Sequence, residues 1–230
     1  ARFGIFPANA NGDDIEIYAD ENREKVQATW LTLRQQLKKT KYQPNIALAD
    51  FIAPKLTGVK DYMGAFCVCT GFGASEKAKA FEEENDDYNS IMIKALADRL
   101  AEAFAEYLHL EVRKKNWGYA SEEKLSNEEL ISEIYKGIRP APGYPACPDH
   151  LEKKTLWDLL KVEEEIGVTL TESLAMWPAA AVSGYYFAHP EAKYFGLGRI
   201  KEDQLLSYSQ RRKISLDEAR KWLNPNLIED

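Results

Sequence analysis

Residues 138–150, IRPAPGYPACPDH, set Pro140, Pro142, Pro145 and Pro148 among an arginine, a tyrosine, a cysteine and a histidine. Each proline fixes φ and removes a backbone donor, which excludes α-helix and most central-strand positions. An ordered extended loop or a linker remains. Pro-rich linkers are usually repetitive and polar, whereas Arg139, Tyr144 and Cys147 suit contact with something else.

The flanking segments alternate between helical and strand patterns. Upstream, SNEEL at 126–130 matches the S-x-x-E capping box and predicts a helix running to Lys136 and ended by Gly137. Downstream, TLWDLLKVEEEIG at 155–167 predicts an amphipathic helix closed by its glycine. AAVSGYYFAHPEAKYFGLGRI at 180–200 predicts a hairpin turning at His189 and Pro190, with Tyr185 to Phe187 facing Tyr194 to Leu197. SLDEA at 215–219 matches a second capping box and starts a last helix.

Toward the N-terminus, Val26, Trp30, Leu33 and Leu37 recur at helical intervals and predict a surface helix over 20–39. NIALADFIA at 45–53 and GAFCVCTGF at 64–72 predict strands, the second ended by glycine. A long helix is predicted from Tyr88 to about Lys115, with Ile93, Leu96, Leu100, Phe104, Leu108 and Val112 as its apolar stripe. The mixture, without repeats, is α+β. The chain opens on ARFGIFPAN, without a methionine, and reads as starting inside a strand, as expected of a piece of something longer.

Composition narrows the function. With 45% hydrophobic and 29% charged residues the 230-residue chain is globular, and its net charge of −7 argues against nucleic acid as the main ligand. No apolar run is long enough for a bilayer and no signal segment opens the chain, so a cytoplasmic location is expected. Three cysteines make no disulfide framework. Cys67 and Cys69 read as small buried hydrophobes on one strand face, and Cys147 with His150 has metal-like spacing but no further ligands at a recognisable distance. No G-x-G-x-x-G, P-loop, G-x-S-x-G or H-E-x-x-H occurs, and TGFGAS at 70–75 reads as a strand-to-helix turn.

A guanidinium on a stiff loop is suited to grip a carboxylate or phosphate in a fork. On the residues alone, Arg139 is equally suited to cap the carbonyls of the preceding helix or to pair with a surface glutamate, and that reading is the simpler one. The aromatics Tyr185, Tyr186, Phe187, Tyr194 and Phe195 read first as core.

RPAPGYPACPDH, LTESLAMWPAAAVSGYYFAHPEAKYF and the ending WLNPNL, with NGDDIEIY, LADFIAPK, DYMGAF and IMIKALADRLAEAFAEYLH, closely resemble the C-terminal activation domain of cobalamin-dependent methionine synthases over essentially the whole chain. The resemblance implies one domain over 1–230, lacking its N-terminal portion. The implied fold is a single C-shaped α+β domain with a central twisted antiparallel sheet flanked by helices. It implies binding of S-adenosylmethionine, whose methyl group restores inactive cob(II)alamin to methylcobalamin with an electron from flavodoxin or an equivalent reductase. Cobalamin belongs to a neighbouring cobalamin-binding domain of the same polypeptide, and zinc to another module. No membrane or nucleic-acid partner is implied.

By the same resemblance the R-P-A-x-G-Y motif falls on Arg139, Pro140, Ala141, Gly143 and Tyr144. Arg139 would hold the ligand carboxylate, with the backbone of Gly143, Tyr144 and Ala146 bordering the ligand. Lys193, Tyr194 and Phe195 carry the family's K-Y-F segment, and Glu133 is a further polar contact. An acidic ligand-binding residue of the family lies upstream of this sequence. Two other readings stay open: a docking module for the cobalamin domain and flavodoxin, using Arg99 and Glu102 on the long helix, and a stand-alone methyltransferase, which would need the missing Gly-rich nucleotide loop.

Overall fold

The structure, a computed structural model, describes residues 1–40 and 42–228. In chain order it contains β1 (Arg2–Asn11), β2 (Asp14–Tyr18), β3 (Val26–Leu31), β4 (Asp61–Cys69), α1 (Ala74–Glu83), α2 (Asp87–Glu111), α3 (Asn127–Ile131), α4 (Glu152–Leu160), α5 (Val162–Ile166), β5 (Thr169–Leu170), β6 (Met176–Trp177), β7 (Ala181–Tyr186), α6 (Glu202–Arg212) and α7 (Leu216–Leu223). A five-stranded antiparallel sheet has the order β3-β2-β1-β4-β7, and β5 pairs with β6. The chain forms two compact units, one of residues 1–4, 65–135 and 156–184, the other of 5–64, 136–155 and 185 onward.

The first hairpin follows from local chemistry. Asn11 pairs with Asp14 across a two-residue turn in which Gly12 takes φ 64°, a left-handed value that glycine adopts without steric cost. In β2 the apolar Ile15 and Ile17 are fully buried and Glu16 between them is not, as period-2 alternation requires.

The segment 20–39 is not the predicted helix. Val26–Leu31 pairs with β2, and Ile15 sits opposite Trp30, whose indole is fully buried and stacks on Tyr185 at 3.8 Å between ring centroids. Burial of that indole in the sheet overrides the helical spacing of Val26, Trp30, Leu33 and Leu37. Beyond β3, Arg34 bonds to the carboxylates of Asp13 and Asp50, tying down an irregular stretch. The strand predicted over 45–53 is instead a short 3-10 turn, Leu48–Phe51, in which Asp50 accepts the Ala47 N–H at 2.9 Å. That local side-chain bond outcompetes an extended ladder.

In the first unit the strand predicted over 64–72 is present as the end of β4, and the turn over 70–75 leads into α1. The predicted long helix is α2; of its predicted apolar stripe Leu108 is buried, as is Val112 just past its end, whereas Leu96 and Leu100 are exposed and Ala97, Ala101 and Ala105 are buried in their place. The small residues allow close approach, so Ala97, Ala101 and Ala105 face inward and Leu96 and Leu100 outward. The Ser126 capping box forms with Glu129, yet α3 ends at Ile131 and Glu133 takes φ 52° instead of continuing to Lys136. The predicted helix over 155–167 is two helices, α4 and α5, broken at Lys161 (φ 51°), and Gly167 closes the second as expected. Arg113, fully buried, pairs with Glu123 and lies 3.8 Å over the Tyr135 ring, so its charge is compensated within the unit.

In the second unit Leu31, Leu33, Leu197, Ile200, Leu205, Tyr208, Ala219 and Leu223 form one core that seats α6 and α7. Ser215 accepts the Glu218 N–H at 3.1 Å and caps α7, as its motif predicts.

Candidate functional site

The Pro-rich stretch is an ordered loop in the second unit. Ile138 and Phe187 exchange backbone hydrogen bonds at 3.1 and 3.0 Å, and the Tyr185 N–H donates to the Pro140 carbonyl at 2.9 Å. Pro140 needs only its carbonyl there, so the missing N–H costs nothing. Arg139 therefore does not directly follow a helix, as the sequence suggested; its backbone runs antiparallel to the chain around Tyr185 to Phe187.

The next residues close on themselves. The Gly143 N–H donates to the Cys147 carbonyl at 2.8 Å, and the Cys147 N–H to the Tyr144 carbonyl at 2.9 Å. The Cys147 thiol donates to the Ala141 carbonyl at 2.9 Å. Burial pushes that thiol pKa up. Among the described residues no group of three or more His, Cys, Asp or Glu side chains is placed to hold a metal ion.

The predicted return strand of the 180–200 hairpin is absent. Tyr185, Tyr186 and Phe187 are fully buried, while Tyr194 is exposed. The segment after the turn reaches the Pro-rich loop instead: the Tyr194 hydroxyl accepts the Arg139 N–H at 3.0 Å, and the Leu197 N–H donates to the Pro145 carbonyl at 3.0 Å. On its other side the Gln35 side chain donates to the Gly196 carbonyl at 3.0 Å.

Of the candidate residues, the structure thus joins Arg139 to Tyr194, with Gly143, Tyr144 and Ala146 on the turn that follows Arg139 and Phe195 half-buried next to Tyr194 in the chain. Arg139 is half-buried, and Tyr144 and Tyr194 are exposed aromatics. Ala146 is buried, leaving its backbone as the part able to border a ligand. Lys193 is exposed beside Tyr194. Glu133 is exposed and belongs to the first unit. In that unit Asp98, Arg99 and Glu102 of α2 line a cleft with Ala179 to Val182.

At the end of the Pro-rich stretch Asp149 joins a buried polar cluster that the sequence did not signal. Arg212 pairs with both Asp149 and Glu152, Tyr208 donates to Asp149, and Glu152 accepts the Leu31 N–H at 2.8 Å. The Tyr185 hydroxyl donates to the Glu152 backbone carbonyl at 3.1 Å, joining the cluster to the Trp30–Tyr185 stack. One cation thus serves two buried carboxylates. Burial pushes the Glu152 carboxyl up to about 8 against the pull of Arg212, with the Asp149 charge adding to the rise. These partners lie far apart in sequence, and no local motif marks them.

The family model of the vitamin B12 dependent methionine synthase activation domain matches residues 1–213. The crystal structure of the MetH reactivation domain bound to AdoHcy is 59% identical in sequence and superposes with a TM-score of 0.97. The alignment covers 99% of this chain and 70% of that one.

Proposed function

Because the chain belongs to the vitamin B12 dependent methionine synthase activation-domain family, we propose that it binds S-adenosylmethionine on the 139–146 loop and the Tyr194–Phe195 segment. When bound, that ligand supplies the methyl group for reductive remethylation of cob(II)alamin held by a neighbouring cobalamin-binding domain, with an electron from flavodoxin or an equivalent reductase. The observation that carries the reading is the near-complete, 59% identical match to a domain bound to AdoHcy, the demethylated form of this ligand.

The chain's own residues supply binding and orientation. Arg139 presents a guanidinium for a carboxylate, with its backbone held by Tyr194. Gly143 supplies the left-handed φ of 97° at the turn, and the exposed rings of Tyr144 and Tyr194 offer flat faces for a sulfonium or a purine. The closed turn lowers the ordering cost of binding. Holding the donor against a corrinoid of the same polypeptide makes methyl transfer effectively intramolecular.

Titration of S-adenosylmethionine and S-adenosylhomocysteine into this chain by calorimetry tests the proposal. Saturable binding that Arg139→Ala removes is the expected result; no heat from either ligand would overturn it. Methionine formation from homocysteine, methyltetrahydrofolate and free cobalamin is expected to be absent for this chain alone.

A further inference from the structure

Gly143 takes φ 97°, and directly against it lies the His150 imidazole: a Cβ built at 143 would sit 2.3 Å from Cε1 and 2.8 Å from both Nδ1 and Nε2. The ring therefore occupies the space that any other side chain at 143 would need. It packs against a turn that its own bonds, from Gly143 to Cys147 and from Cys147 to Tyr144, close. The His150 Nδ1 is buried and has no hydrogen-bond partner among the described residues.

That environment tolerates a neutral ring better than a charged one. The charged groups facing it are Asp149 and Lys153. Asp149 is already engaged, one oxygen accepting the Leu151 N–H at 2.7 Å and the other taking Tyr208 and Arg212. Lys153 adds repulsion, and the glycine side of the contact carries no charge. Burial first, then Lys153, hold the imidazole below its ordinary value of 6.5. A proton added to Nδ1 would need an acceptor that the present packing does not provide.

We propose that His150 is a positioning residue for the ligand loop: its neutral imidazole, seated against Gly143, keeps the 141–147 turn in binding shape, and its protonation releases that turn. The inference rests on the ligand-loop reading above for its functional consequence. The loop becomes acid-sensitive, giving up its ligand as the pH falls below neutrality.

The test is S-adenosylhomocysteine affinity from about pH 8 to about pH 5 for this chain, His150→Gln and His150→Ala. The unsubstituted chain is expected to lose affinity about tenfold across that range. His150→Gln, neutral throughout and still filling the space, should bind like the parent at the high end and show no fall. His150→Ala should bind weakly at both ends. A fall that persists in His150→Gln, or a flat profile for the parent, overturns the proposal. If the parent binds nothing at pH 8, the ligand reading fails, and the positioning claim is then decided without ligand by magnetic resonance. A Gly143 amide shift that follows the His150 midpoint, and is lost in His150→Gln, supports it; an amide that ignores the titration overturns it.

Discussion

The Tyr194 hydroxyl accepts the backbone N–H of Arg139 at 3.0 Å, joining residues 55 apart in the chain. The bond fixes the arginine by its main chain. It also brings Tyr194 to the Pro-rich loop although the predicted return strand does not form.

Tyr194→Phe keeps the ring and removes the acceptor. A neutral hydrogen bond of this kind contributes about 0.5–1.5 kcal/mol, so S-adenosylhomocysteine affinity should fall about two- to tenfold. The loss of stability should be no larger than about 0.5–1.5 kcal/mol, because the side chain is exposed and loses only that bond. Calorimetry beside a melting curve separates the two effects, and a large loss of stability would contradict this account.

Arg139→Ala should cost about 1.5–3 kcal/mol of ligand affinity, roughly ten- to a hundredfold, with the fold retained. Arg139→Lys should restore only part, since an ammonium cannot form the two-pronged contact. Equal affinity for parent and alanine variant in a folded protein would remove Arg139 from the site.

Trp30→Ala empties a fully buried position and removes the stacked partner of Tyr185, whose N–H holds Pro140. A loss of about 3–5 kcal/mol in chemical denaturation is expected. Faster hydrogen exchange at the Tyr185 amide should accompany it. A variant as stable as the parent would mean that the stack carries little of the second unit's core.

Glu152 has a folded-state value of about 8 against an ordinary 4.5, so the folded chain holds this proton more tightly than the unfolded chain does. Its contribution to stability is therefore fully present below about pH 4.5 and is lost as the pH rises through 8. Glu152→Gln keeps an acceptor for the Leu31 N–H and removes the titration. Denaturation from pH 5 to 9 should show the parent losing stability relative to the variant; a constant difference would contradict the assignment.

Several elements were legible in the residues themselves. The Ser126 and Ser215 caps, the Gly167 stop, the end of β4 and the exclusion of helix from 138–150 all rest on bonds or dihedrals within a few residues, which sequence determines directly. The family resemblance was equally legible, because its motifs are long and run over essentially the whole chain.

Tertiary structure decided the rest wherever a side chain's best partner lay far along the chain. Trp30 has helical spacing, yet pairing with Ile15 and stacking on Tyr185 put it in a strand. On α2 Ala97 and Ala101 rather than Leu96 and Leu100 face inward, because close approach favours small residues and periodicity alone cannot choose between two stripes. The hairpin signal in 180–200 was real only for its first strand; the second half found Arg139 and Pro145 instead of its own neighbour. Glu152, Asp149 and Arg212 became a buried cluster only when α6 brought one guanidinium to two carboxylates. Local bonds are written in adjacent residues, whereas burial is a property of the whole packed chain, and in this protein the loop's chemistry is of the first kind and its placement of the second.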